Sequence, residues 1–303
     1  MQTAIAVACA LCAAFCFALG SLVQQGAARQ ASEGTLRLRL LIVLAHEPRW
    51  VAGVALSAFS FVIQATALAF GPLSLVQPLA ATDVLFALPL IARRSRRRLT
   101  RKDATGALTV TAGMAVFIAV SPPVRGLSVP GVAAWAPAFV SVAALTAVAA
   151  VAALRVRGRA RVMWLAAAAG AVYGLLDALT KSTVDVLQDQ GMAGVVTTWE
   201  PYAMAAAGLL GALFGQSAFN AGPLSLSLPV IDTLEPVAAV ALAATVFHER
   251  LASSPGQLAL QLAGGAMAVA GIAILSHSSV VNTEAGLAPG PADVARNHAR
   301  PAT

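Results

Sequence analysis

Nine stretches of 18 to 23 residues are almost wholly apolar, and six of them carry no formal charge: 3 to 23, 50 to 70, 73 to 92, 104 to 121, 131 to 153, 163 to 183, 202 to 221, 224 to 246 and 257 to 276. At about 1.5 Å of rise per residue, each is long enough as a helix to cross a hydrocarbon core of about 30 Å. The expected fold is an all-α membrane protein of about nine transmembrane helices, with a range of nine to ten. Charged residues make up only 11% of the 303. A soluble domain carries about 25%, so the charge needed to cover a water-facing surface is missing. No basic region precedes the first run, which argues against a cleaved signal peptide. The short run Leu38 to Ala45, interrupted by Arg39, is too short to span and is read as an interfacial or re-entrant segment.

Nine crossings place 17 of the 20 Lys and Arg on one side, leaving Arg125, Lys181 and Arg250 on the other. The positive-inside rule makes the basic side cytoplasmic. The expectation is a multi-pass protein of the plasma (inner) membrane, N-terminus outside and C-terminus in the cytoplasm. The net charge of +7 is thus mainly a topology signal. The dense run Arg93 to Lys102 fits a cytoplasmic loop without any nucleic acid. Cys9, Cys12 and Cys16 share one helix face in the first run. Besides a metal or redox role, small buried apolar residues account for them.

Gly71-Pro72-Leu73-Ser74-Leu75-Val76-Gln77-Pro78 recurs as Gly222-Pro223-Leu224-Ser225-Leu226-Ser227-Leu228-Pro229, six matches in eight at an offset of 151. Five crossings separate the copies, so they enter the bilayer from opposite faces. Inverted repeats of this kind are a signature of secondary transporters, whose sites lie near the midplane between the halves. The implied organisation is a first repeat of four helices in 1–121, a linking fifth helix and cytoplasmic loop in 122–160, a second, inverted repeat of four helices in 161–277, and a disordered cytoplasmic tail in 278–303. Pro78 and Pro229 fall at matching places inside their spans, where each removes a backbone hydrogen bond. They are read, with Pro236, as helix-break or gating positions, although proline kinks are also ordinary in membrane helices.

Leu234-Glu235-Pro236-Val237, followed by Phe247-His248-Glu249-Arg250-Leu251, resembles the drug/metabolite transporter superfamily, whose EamA-type members carry a similar Leu-Glu-Pro and a terminal Glu-Arg-Leu. The nine-span arrangement and the Gly-Pro-Leu-Ser-Leu start of both proline-bearing helices are more similar to the NIPA-type magnesium transporter branch. This chain departs from that branch in having Leu228-Pro229 followed by Val230-Ile231-Asp232. The resemblance implies an alternating-access carrier of a small solute, with a NIPA-like divalent cation carrier as the alternative.

An ionised side chain at the bilayer centre is costly, so charges found there mark function. Asp83 lies mid-span in the third run, close to Gln77. Asp232 and Glu235 are i and i+3 in the eighth and share a face. They are placed to bind a cation, hold a substrate amine or exchange a coupling proton. Asp177 and Lys181 are i and i+4 in the sixth run, spaced either for a structural ion pair or for a substrate contact. Gln64, Gln216 and Asn220 are candidate cavity-lining residues, though each fits a helix-to-helix hydrogen bond as well. The pairs Gly170/Gly174 and Gly211/Gly215 suit close helix packing.

No nucleotide-binding Gly-x-x-x-x-Gly-Lys, His-Glu-x-x-His or Gly-x-Ser-x-Gly occurs in the sequence. The function expected is a secondary transporter rather than an enzyme, with an intramembrane enzyme or a structural membrane protein as remote alternatives. No cofactor is called for. The expected partners are the lipid bilayer, a small-molecule or cation substrate, and as an option a second copy in a homodimer.

Overall fold

The computed structural model describes residues 2–31, 36–70, 79, 82–94, 98–120, 130–247 and 254–277. Among them the secondary structure is entirely helical, in ten elements: α1 (Gln2–Gln30), α2 (Leu38–Ala45), α3 (Pro48–Phe70), α4 (Asp83–Arg94), α5 (Arg101–Ala119), α6 (Val132–Arg155), α7 (Arg159–Thr197), α8 (Glu200–Ala221), α9 (Leu224–Val246) and α10 (Pro255–Ser276). Six are long and apolar enough to cross a membrane: α1, α6, α7 over Arg159–Leu187, α8, α9 and α10. The chain is a multi-pass membrane protein. A seventh candidate is the pair formed by α2 and Pro48–Gln64 of α3, bent by 92°, so the 38–45 segment is a separate short helix. The motif at 71–78 with Gln77 and Pro78, the Glu249-Arg250-Leu251 motif and the tail 278–303 lie outside the described residues.

Two helices overrun the apolar runs that announce them. α1 continues to Gln30 because Gln24 and Gln25, beyond the run, are buried. α7 extends past 183 through Asp185 and Asp189 until Gly191, whose φ of 66° breaks the helical path. Only glycine enters that left-handed region without strain.

α9 is the centre of the bundle and touches α1, α4, α5, α6, α7, α8 and α10. Residues 222–231 are buried without exception. The break expected at Pro229 is absent, since α9 runs as one helix through Pro229 and Pro236. Each proline forfeits one backbone bond, but the close packing around its first half holds α9 together, a tolerance usual in membrane bundles.

Glycines set the closest approaches. A Cβ at Gly170 would lie 2.9 Å from the Ile231 carbonyl oxygen, and one at Gly174 would lie 2.6 Å from that of Glu235, so α7 and α9 meet backbone to backbone. Gly211 and Gly215 of α8 make room for the Tyr173 ring, since a Cβ at Gly211 would lie 2.6 Å from a ring carbon and one at Gly215 3.0 Å from the hydroxyl. α5 and α10 form a third seam, in which a Cβ at Gly113 would lie 2.6 Å from the Gly264 carbonyl oxygen and one at Gly264 2.7 Å from that of Gly113. Close packing of small residues takes the place of the hydrophobic effect between helices in lipid.

Candidate functional site

α4 begins at Asp83, only 4% exposed, whose Oδ1 accepts a 2.7 Å hydrogen bond from the Val84 amide. A carboxyl in the first helical turn satisfies a free N–H and meets the positive end of the helix dipole. α4 packs against α9, and there the Asp83 carboxyl makes a side-chain hydrogen-bond contact with Asp232. An ionised carboxyl is an acceptor only, so a hydrogen bond between two of them needs a proton on one. The Oδ2 of Asp232 is buried without a hydrogen-bond partner.

One turn further along α9, Glu235 is within electrostatic reach of Asp83 and Asp232. On α7, opposite, both Asp177 and the Tyr173 hydroxyl face it at that range. Four carboxylates from α4, α7 and α9 therefore form one group. It grades from the buried Asp83 through half-buried Asp232 and Glu235 to the exposed Asp177. Among the described residues, no three His, Cys, Asp or Glu side chains are grouped to hold a metal ion.

Lys181, one turn beyond Asp177, places its Nζ over the Phe247 ring, 4.1 Å from the centroid. That ring sits edge-on to Trp135 at 5.8 Å, and Trp135 also packs on Phe139 and Trp199. A cation over an aromatic face is attracted by the ring quadrupole.

Two of the candidate cavity-lining amides make the helix-to-helix bonds that their sequence positions also allowed. Gln216 donates from Nε2 to Gln24 Oε1 at 2.9 Å, and Gln24 donates to Ser57 Oγ at 2.9 Å. Asn220 Nδ2 donates to the Ala28 carbonyl at 2.6 Å. Both expected residues thus tie α8 to α1. Gln64 is half-buried on α3, which packs on α1 and α2, and is not brought to the carboxylates. Pro229 and Pro236 flank Asp232 and Glu235 along α9. Sequence reading missed Gln24, Gln25, Arg94 and Tyr173. Two adjacent glutamines at the end of an apolar run were the available signal for the first pair.

No protein-family model matches the chain, and no solved structure matches it. A curated relative is the uncharacterized protein Cgl0250/cg0304 of Corynebacterium glutamicum. The two are 32% identical over 247 residues, which is 81% of this chain and 86% of the relative.

Proposed function

We propose that this chain, which belongs to the family of that Corynebacterium glutamicum protein, is a secondary transporter of the drug/metabolite superfamily type. It moves a small solute across the plasma membrane by alternating access, with nine spans in two inverted repeats, the N-terminus outside and the C-terminus in the cytoplasm. The observation that carries the reading is the meeting of Asp83, from the first repeat, with Asp177, Asp232 and Glu235 of the second. Carboxylates gathered inside a bundle are the expected furniture of a substrate or ion pathway.

The glycine seam supports the repeats. Gly113 and Gly264 are 151 residues apart, the offset that relates 71–78 to 222–229, and they approach each other. The neighbouring contacts are reciprocal as well. Gly113 meets Ala268 while Gly264 meets Phe117, and Ala268 is again 151 residues beyond Phe117. Self-complementary contact of equivalent positions is what a two-fold axis produces. The helix pairs follow the same relation, with α1 on α3 and on α4 matching α7 on α8 and on α9.

The test is uptake into proteoliposomes with a panel of labelled amines, amino acids, sugars and divalent cations. The reading expects at least one solute to move with the wild-type protein and to stop with Asp232→Asn. A panel that yields no flux, or flux unchanged by Asp232→Asn, counts against it. Divalent-cation flux would instead favour the NIPA-like alternative.

A further inference from the structure

The C-terminal ends of α1, α4 and α8 meet in a second polar assembly, separate from the carboxylates. Gln24 bonds Gln216 at 2.9 Å and Asn220 bonds the Ala28 carbonyl at 2.6 Å. Gln25 Nε2 donates to the Gly222 carbonyl at 3.1 Å, just ahead of α9. Arg94, at the end of α4, donates from Nη1 to the Leu22 carbonyl at 3.0 Å and to Gln25 Oε1 at 3.4 Å. The guanidinium fits because position 26 is glycine, where a Cβ would come within 2.9 Å of Nη2. The chain after α1 is fastened too. Leu36 holds a φ of 63°, a region costly for a branched side chain, while its amide donates to Ser217 Oγ at 2.9 Å. A strained residue held by its surroundings is a mark of a functional segment.

We propose that this seam is the closed gate on the arginine-rich side of the transport pathway, with Gln24, Gln25 and the Ala28 carbonyl of the first repeat latched to Gln216, the Gly222 carbonyl and Asn220 of the second, and Arg94 holding Gln25 in place from α4. The proposal rests on the transporter reading above. Gln24–Gln216 and Gln25–Gly222 are neutral pairs, and neutral pairs exchange for water at small net cost, so such a latch opens reversibly. Beyond Gly222 the chain runs directly to Asp232 along the fully buried start of α9. At the far end of the carboxylate row Asp177 is exposed.

The test uses the full chain in vesicles, freed of its own thiols by Cys9→Ala, Cys12→Ala and Cys16→Ala. Ser227→Cys, fully buried between the seam and Asp232, reports access of a membrane-impermeant maleimide added on the face that carries Arg94. Ala268→Cys, fully buried in the α5–α10 seam, reports general loosening. Gln24→Ala combined with Gln216→Ala, and separately Asn220→Ala, should speed labelling at 227 by about tenfold and leave 268 unchanged, as expected when bonds are lost from one of two states. Labelling that rises at both positions, or at neither, overturns the gate. No solute enters the measurement, so this failure is distinct from an absent flux.

Discussion

Asp83 and Asp232 meet carboxyl to carboxyl, one at the start of a helix in the first half of the chain and the other inside the central helix of the second. Their contact ties α4 to α9. Like charges so close cannot both stand ionised without repulsion.

The two residues should therefore be energetically coupled. Asp83→Asn can donate to Asp232 and Asp232→Asn can donate to Asp83, so each single variant should keep most of the stability. Asp83→Ala should cost about 1–3 kcal/mol by leaving a buried group unpaired. A double-mutant cycle of thermal unfolding in detergent should give a coupling of at least about 0.5 kcal/mol. Additive single effects would dissolve the pair.

The α5–α10 seam predicts a steep dependence on size. Gly113→Leu puts its Cβ 2.5 Å from the Ala268 amide nitrogen, so backbone must shift. A loss of about 1–3 kcal/mol, or more, follows from overpacking. Gly131→Ala, with nothing within 4 Å of its Cβ, should be neutral within about 0.5 kcal/mol. Melting curves of the two variants side by side check the contrast.

α5 is started by a capping box in which Thr100 and Asp103 satisfy each other's backbone amides, at 2.7 Å and 3.3 Å. Thr100→Ala should remove about 0.5–2 kcal/mol. Amide hydrogen exchange should rise in the first turn of α5 and not in its apolar centre.

Much of this was legible from composition and spacing. Apolar length announced the helices, and the Gly170/Gly174 and Gly211/Gly215 spacing announced two tight packings that α9 and Tyr173 fill. Carboxylates inside apolar runs marked the central group, because few other positions carry so high a cost in lipid. What the residues could not convey was which helices face which. Gln216 and Asn220 look the same whether they line a pathway or bond to α1, and only the packing of α8 on α1 decides for the seam. Gln24 and Gln25 lie past the end of an apolar run, where hydropathy stops being informative although the helix continues. Pro229 removes a backbone bond locally, yet α9 continues through it because residues 222–231 are buried on all sides.

The measurement closest to the central claim is solute flux in proteoliposomes for Asp232→Asn against Asp189→Asn, since Asp189 is exposed toward the end of α7 and lies outside the carboxylate group. Asp232→Asn should lower the initial rate by about a hundredfold or more, comparable with removal of a group that contacts the transported species at about 2.7 kcal/mol, while Asp189→Asn keeps the wild-type rate. Equal rates for all three proteins would contradict a transport site built on Asp83, Asp232, Glu235 and Asp177.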